Sequence, residues 1–327
     1  MTAFLVGAVV SLATSWLLVT RLERIGERFG LSEALLGLAA ALAADTPEIT
    51  ASVTALSNHE RTVGAGVVLG SNVFNLAALL GLGAVVAGTI VLHRRVVLLG
   101  GAVAVLVALV CLAAVTGALP VGAALGLVLV VLVPYILVLG AHRGLSTLLS
   151  LPPRWSAWID AAVVEEEQEL EEAIAPRRGR PLDIAVAAVA LVVVVTASVA
   201  MERGASVLGR RHHVAEILVG GLVLAAVTSL PNAVAAVYLA AKGRGAATWS
   251  TALNSNTLNV VVGLLIPGAI LGLARPTAPG NLIAAWCLGL TVLTVILAYA
   301  GRGLRRWAGT VVILAYAGFV AALLALA

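Results

Sequence analysis

Two blocks of this chain return at one constant distance. Ala43-Ala44-Asp45-Thr46-Pro47-Glu48 and Gly70-Ser71-Asn72-Val73-Phe74-Asn75 come back 184 residues later as Val227-Thr228-Ser229-Leu230-Pro231-Asn232 and Asn254-Ser255-Asn256-Thr257-Leu258-Asn259. Pro47 pairs with Pro231, Ser71 with Ser255, Asn72 with Asn256 and Asn75 with Asn259, and Gly37 and Gly221 fall in the same register. A single offset across both blocks marks an internal duplication. Both copies lie in apolar runs, so each half supplies a proline-broken helix and a Ser/Asn-bearing helix at membrane depth. Interrupted helices in corresponding positions of two halves point to the ion site of a transporter.

The apolar runs themselves fix the solvent. Of 327 residues, 61% are hydrophobic and 11% charged, whereas a soluble domain is about 45–50% apolar and about 25% charged. The chain reads as an all-α polytopic membrane protein. A span needs about 20 apolar residues, and ten such runs fit, at roughly 2–20, 33–57, 63–88, 95–116, 119–140, 182–200, 214–240, 247–273, 281–300 and 306–326. The fourth and fifth are divided at Gly117-Ala118-Leu119-Pro120. The organisation expected is a first five-helix repeat over 1–140, an acidic loop over 141–181 and a second five-helix repeat over 182–327, with helices 2 and 7 broken. Phe4 to Val19 has no basic region before it and reads as a first span, not a cleaved leader.

Orientation follows from the basic residues. Arg21, Arg24, Arg28, Arg94, Arg95, Arg143, Arg154, Arg177, Arg178, Arg180, Lys242, Arg244, Arg302, Arg305 and Arg306 share one side of this ten-span layout, fifteen in all. Arg61, Arg203, Arg210, Arg211 and Arg275 take the other, against the trend as a cluster at 203–211. The positive-inside rule places the fifteen in the cytoplasm and both termini outside. Because each half has an odd number of spans, the second enters from the opposite face and the repeats are inverted. The run Glu165-Glu166-Glu167-Gln168-Glu169-Leu170-Glu171-Glu172 reads as a solvated cytoplasmic stretch; it lacks the spacing of a calcium-binding loop.

Asp45 and Glu48 read as the only acids deep in an apolar span, and their i, i+3 spacing puts them on one helix face. Carboxylates at that depth are costly and belong to an interior or aqueous cavity. Pro47 and Pro231 each remove a backbone donor and free the carbonyl four residues back. Carboxylates and freed carbonyls are hard oxygen ligands suited to alkali and alkaline-earth cations. Hydroxyl and amide oxygens complete the candidate set: Thr46, Thr228, Ser229 and Asn232 from the broken helices, and Ser71, Asn72, Asn75, Ser255, Asn256 and Asn259 from the helices after them. Interhelical hydrogen bonding is the plainer role for any one of these, Ser71 and Ser255 above all. Cys111 and Cys287 read as buried or lipid-facing small side chains, and no His/Cys grouping has zinc spacing.

These motifs resemble those of the sodium/calcium exchanger family, within the cation/calcium antiporter superfamily. Its paired repeats carry a G-T-S-x-P-E block and a G-N-x-x-G-S-N-x-F-N block. Gly70-Ser71-Asn72-Val73-Phe74-Asn75 and Thr228-Ser229-Leu230-Pro231 carry the likeness, which extends over the ten-span layout. The resemblance implies two inverted repeats meeting at one calcium site with adjoining sodium sites. It also implies alternating access by sliding of the first and sixth helices. Glu48 then matches the first-repeat calcium-binding glutamate, and Asn232 stands where the second-repeat glutamate is expected. Two further departures are Ala44-Asp45 in place of Thr-Ser, and Val67 and Thr251 in place of a motif asparagine. Asp45 and Glu48 would supply from one repeat the charge the family draws from both.

The function expected is therefore secondary active antiport of Ca2+ for Na+, with Ca2+/H+ or other cation/H+ exchange as the alternative, since crowded carboxylates can share a proton. A channel would use similar polar linings without needing inverted broken-helix repeats. A membrane enzyme would need an assembled centre, and His59, His93, His142, His212 and His213 are scattered without an H-E-x-x-H arrangement. A relative that kept the fold and lost its chemistry would fit Asn232 and Val67. No cofactor is expected beyond the transported ions. The expected partners are inorganic cations and the lipid bilayer, not nucleic acid, for a monomer or weak homo-oligomer in the cell membrane.

Overall fold

The structure is a computed structural model that describes residues 2–29, 41–140, 180–243 and 245–326, together with 157, 158 and 161. Gly37, the acidic run at 165–172 and the basic residues at 143, 154, 177, 178 and 244 lie outside the described residues. The chain is helical nearly throughout, as a membrane span must be, because a helix satisfies its own backbone groups where no water can. In order it forms α1 (Thr2–Phe29), a helical turn at 41–44, α2 (Thr46–Ser57) and α3 (Arg61–Asn75). A π-helical segment (Leu76–Leu82) and α4 (Gly83–Ala87) continue α3. Then come α5 (Arg94–Val115), α6 (Val121–Gly140) and α7 (Pro181–Arg211). Next are α8 (Glu216–Leu218), a π-helical segment (Val219–Leu224), α9 (Ala225–Thr228) and α10 (Leu230–Ala241). The chain ends with α11 (Gly245–Leu258), its π-helical continuation (Asn259–Leu265), α12 (Ile266–Leu271), α13 (Ala278–Gly301) and α14 (Arg306–Leu326).

Seven of these helices are by themselves long and apolar enough to cross a membrane, eight if the bent pair Glu216–Thr228 and Leu230–Ala241 is one span. The second expected span is described only from residue 41, and the fifth has an apolar core at Val121–Leu137. The break between the fourth and fifth lies where Gly117-Ala118-Leu119-Pro120 places it, with Gly117 at φ +76°. Lipid-facing apolar side chains such as Val130, Val189 and Ile270 stay exposed, while one continuous apolar core runs from α3 through α5, α10, α11, α13 and α14.

Close approach of helices falls on small residues, which let backbones meet. A Cβ on Gly70 would lie 2.2 Å from the Gly221 carbonyl oxygen, and one on Gly220 would lie 2.3 Å from that of Val63. Glycine is therefore the residue that lets α3 cross the α8–α9 segment backbone to backbone. On the other flank α1 and α7 lie along one another, where a Cβ on Gly7 would come within 2.8 Å of Ala197 O, and Ser11 and Ser198 hydroxyls bond at 2.8 Å.

Three features depart from the expected layout. A two-stranded antiparallel ribbon pairs β1 (Thr89–Val91) with β2 (Gly303–Arg305), in register Ile90 to Leu304. The helix breaks are sharp and short. Only Asp45 and Ser229 leave the helical pattern, and the second pair of segments bends by 46°. Finally, the sixth helix does not stop near residue 200 but continues to Arg211, carrying Glu202 into the interior at 0% exposure. Its 31 residues span about 46 Å at 1.5 Å per residue, longer than the roughly 30 Å hydrocarbon core of a bilayer.

Candidate ion-binding site

Proline sets the geometry of the site. Pro47 and Pro231 each lie in the first turn of the second half of a broken helix, where the missing N–H is tolerated. The residue at each break, Asp45 or Ser229, is thereby turned inward together with the residue three later, Glu48 or Asn232. Ser229 is the counterpart of Asp45 under the 184-residue offset, and Asn232 the counterpart of Glu48. The contacts obey the same relation. Ser229 Oγ donates to Glu48 Oε1 at 2.5 Å, and Asn232 Nδ2 donates to Asp45 Oδ1 at 2.6 Å. Each link joins a break residue of one repeat to the residue three past the break in the other. In the first link the hydroxyl donates to a carboxylate; in the second the break residue is itself the carboxylate. Ser255 Oγ also donates to Asp45 Oδ1.

The four asparagines show the symmetry more fully. Asn72 Nδ2 donates to the Asn256 backbone carbonyl and Asn256 Nδ2 to that of Asn72, both at 3.0 Å. Asn75 Nδ2 donates to Asn256 Oδ1 at 3.1 Å, and Asn259 Nδ2 to Asn72 Oδ1 at 3.5 Å. Asn72 and Asn256 are thus engaged through both ends of their amides and clamp α3 to α11. Asn75 and Asn259 donate to that clamp, Asn75 Nδ2 also to Ser255 Oγ at 3.4 Å, and keep their oxygens. The π-helical segments begin at Leu76 and at Asn259, so the widened turns of the two repeats start beside these amides. Such insertions recur at functional sites.

One consequence dominates the chemistry. Asp45 Oδ2, Glu48 Oε2, Asn75 Oδ1 and Asn259 Oδ1 are all buried acceptors to which no protein group donates. A buried acceptor without a donor costs about 1–3 kcal/mol, more when charged, so these four oxygens are suited to a proton, a water or a cation. All four are hard oxygens, and the donors that surround them use only the other oxygens of the two acids. The carboxyls of Asp45 and Glu48 also lie against one another. Asp45, Glu48, Ser229, Asn232, Asn75 and Asn259 are 0–1% exposed, and Asn256 is 7%.

Nine of the twelve expected residues therefore converge: Asp45, Glu48, Asn72, Asn75, Ser229, Asn232, Ser255, Asn256 and Asn259. The other three spend their hydroxyl protons elsewhere. Thr46 Oγ1 bonds Leu42 O at 3.2 Å and Thr228 Oγ1 bonds Leu224 O at 2.9 Å, each within its own helix, while Ser71 Oγ reaches Ala225 O at 3.4 Å. The carbonyl freed by Pro47 is not open either, because Ser15 of α1 lies 3.4 Å from both Ala43 O and Ala44 O. Ser52, whose hydroxyl lies 2.9 Å from Gly64 O and 2.8 Å from Gly263 O, further ties α2 to both neighbouring elements. Ser15 and Ser52 are invisible to a search for duplicated motifs, since Ser52 is matched by Ala236 and neither lies in a repeated block. Asp45 and Glu48 are not the only buried acids among the described residues: Glu202 is 0% exposed and Asp183 6%. Cys111 and Cys287 are free and buried.

Known proteins share this architecture. Residues 1–141 and 182–325 match the model of the sodium/calcium exchanger protein family. A protein of Alkalimonas amylolytica named as the antiporter CaxA is 38% identical over 82 residues, a match that spans 25% of this chain and 26% of that relative. Among solved structures, the sodium-calcium exchanger NCX_Mj aligns over 98% of both chains at 19% identity with a TM-score of 0.62. The H+/Ca2+ exchanger CAX aligns over 98% of this chain and 81% of its own at 14% identity, with a TM-score of 0.73. The two structural likenesses, at such low identity, speak to the fold. With the family model covering both halves and the duplicated Ser/Asn and proline motifs meeting in one buried site, this chain is an integral membrane protein of the sodium/calcium exchanger family.

Proposed function

We propose that the protein is a secondary active antiporter that carries Ca2+ across the membrane in exchange for Na+ by alternating access. The observation that supports this most is the set of four donor-free buried oxygens on Asp45, Glu48, Asn75 and Asn259. Two carboxylates carry a formal charge of −2, matched by one divalent ion, and amide oxygens complete a shell of the kind calcium takes. A divalent ion and monovalent ions compete for such oxygens, which is the requirement for exchange through a single site. In this reading the Asn72–Asn256 clamp keeps the two repeats in register while Asp45, Glu48, Asn75 and Asn259 face the ion.

The contact between the Asp45 and Glu48 carboxyls favours a second reading, Ca2+/H+ exchange. Adjacent carboxyls hold either a cation or a shared proton, because like charges at that distance do not both persist bare. In either case the bias of fifteen basic residues to one side supports a cytoplasmic face there, with Arg61 and Arg275 on the outer face and both termini outside. Purified protein in sealed liposomes decides between the coupling ions. Calcium uptake driven by an outward sodium gradient supports the first reading. Uptake driven by a pH gradient in sodium-free buffer supports the second, and uptake under neither sinks both.

A further inference from the structure

A second pair of acids lies away from the central oxygens, at the far end of α2. The turn after that helix carries Glu60, and α7 passes beside it with Glu202, Ser206 and Arg210. The 12 residues of α2 separate this point from the helix break at Asp45 by about 18 Å. Ser206 Oγ lies 2.6 Å from Glu60 Oε2 and 3.0 Å from Glu202 Oε1. Arg210 pairs with the other oxygen of Glu60. Glu202 is 0% exposed, and its Oε2 is buried with no donor.

Counting hydrogens shows what this arrangement lacks. A serine hydroxyl has one proton to donate, yet both of its oxygen neighbours here belong to carboxyl groups. With both acids ionised, one of these two contacts would oppose lone pair to lone pair beside the buried Glu202. One added proton on Glu202 Oε1 removes that opposition and turns the donor-free Oε2 into a neutral carbonyl oxygen, which costs less to bury than a charged one. Arg210 lies against Glu60, and Glu202 is the more deeply buried of the two acids, so the proton belongs on Glu202, giving the chain Glu202 Oε1–H to Ser206 O–H to Glu60 to the Arg210 guanidinium. Other charged groups nearby are Arg203 on α7, the exposed Glu216 of α8, which packs on α7, and, on the turn, the exposed His59 and the half-buried Arg61, whose guanidinium is held by Leu271 O. Where α1 packs on this stretch it brings Phe4 and Gly7, which are uncharged, and the π-helical segment Val219–Leu224 brings none.

We infer that Glu60, Ser206 and Glu202 form a proton-binding site separate from the central ion site, and that the bound proton fastens α7 to the α2–α3 turn. The O–H bond forms on Glu202 with a proton from the adjacent solvent, which reaches the site past the half-exposed Arg210 and the partly exposed Glu60. Loss of that proton leaves two carboxylates facing one another across Ser206 and loosens α7 from the turn. In the orientation proposed above, this site lies at the outer face. It does not depend on which ion drives exchange.

Infrared difference spectra of the purified protein between acidic and neutral pH test the assignment. With saturating calcium on the central acids, the wild type should show a protonated-carboxyl band that titrates; Glu202→Gln should lose a component of it that Glu48→Gln retains. A Glu202→Gln difference spectrum identical to that of the wild type, or no such band in the wild type, overturns the inference, whatever the flux assays give. If Glu202→Gln does not fold, Glu60→Gln and Ser206→Ala serve. Removing the neighbouring charge or the bridging hydroxyl must move the midpoint of the band, and an unmoved midpoint in both overturns it equally.

Discussion

Asp45 and Ser229 occupy the same place in the two repeats, as do Glu48 and Asn232, but the acids are both on one side of the pairing. The cross-repeat links survive because each still joins a donor to a carboxylate: Ser229 to Glu48, and Asn232 to Asp45. Exchanging the partners of the second link, Asp45→Ser with Asn232→Glu, would reproduce the Ser-to-Glu link and keep the formal charge. Each single change shifts that charge by one unit. The double variant should therefore bind calcium more tightly than the sum of the single effects predicts, with a coupling of about 0.5–3 kcal/mol in calorimetric titrations. Strict additivity would mean that the two positions do not share an ion. Glu48→Gln keeps shape and removes charge from a donor-free oxygen, so calcium flux in liposomes should fall by orders of magnitude with the fold intact. Full flux in a folded Glu48→Gln protein would remove Glu48 from the ion path. The exposed Glu216→Gln, by contrast, should leave flux unchanged.

At the scale of elements, α3 is held by its neighbours so tightly that it has no room for a side chain at Gly70. A methyl there meets the Gly221 carbonyl oxygen at 2.2 Å, and that atom is backbone, not a flexible side-chain end. Gly70→Ala should cost at least about 1–3 kcal/mol, read as a lower midpoint of thermal unfolding in detergent. The shift of α3 should also disturb Asn72 and Asn75, two and five residues on, and weaken calcium binding. Wild-type stability in Gly70→Ala would show that the helices part more readily than this packing implies. The clamp has a different signature. Asn72→Ala strands the Asn256 carbonyl and the Asn259 amide, and should lower stability and calcium affinity together.

The whole molecule has a sidedness that its internal symmetry does not set. In the expected layout the two repeats are related by a near two-fold axis in the membrane plane, which gives no preferred direction of insertion and leaves that to the loop charges. Single cysteines at Lys242 and Arg275, at opposite ends of the bundle in the expected topology, should then label from opposite sides. In sealed right-side-out vesicles, an impermeant thiol reagent should modify Arg275→Cys and spare Lys242→Cys. The reverse pattern would invert the orientation and the direction of every step drawn from it.

The sequence alone pointed to the membrane environment, the duplication and most of the residues of the candidate ion site, for a local reason in each case. Apolar runs announce burial in lipid, a single offset preserves polar residues in two blocks, and Asp45 and Glu48 stand out because carboxylates are expensive in such runs. Only tertiary structure decided what those residues face. Asn72 and Asn75 share a motif, yet one is engaged at both ends of its amide and the other keeps its oxygen. Nothing in their spacing distinguishes them, since the difference lies in which group of the opposite repeat each one meets. The extent of α7 was hidden for a related reason. Glu202, Arg203 and Arg210 read as the end of a span in a hydropathy count, but packing against α1 and pairing with Glu60 and Ser206 carry the helix on to Arg211. Composition along the chain is a sum over neighbours in sequence; partners brought from 146 or 184 residues away, such as Ser206 for Glu60 and Asn256 for Asn72, enter only once the chain is folded.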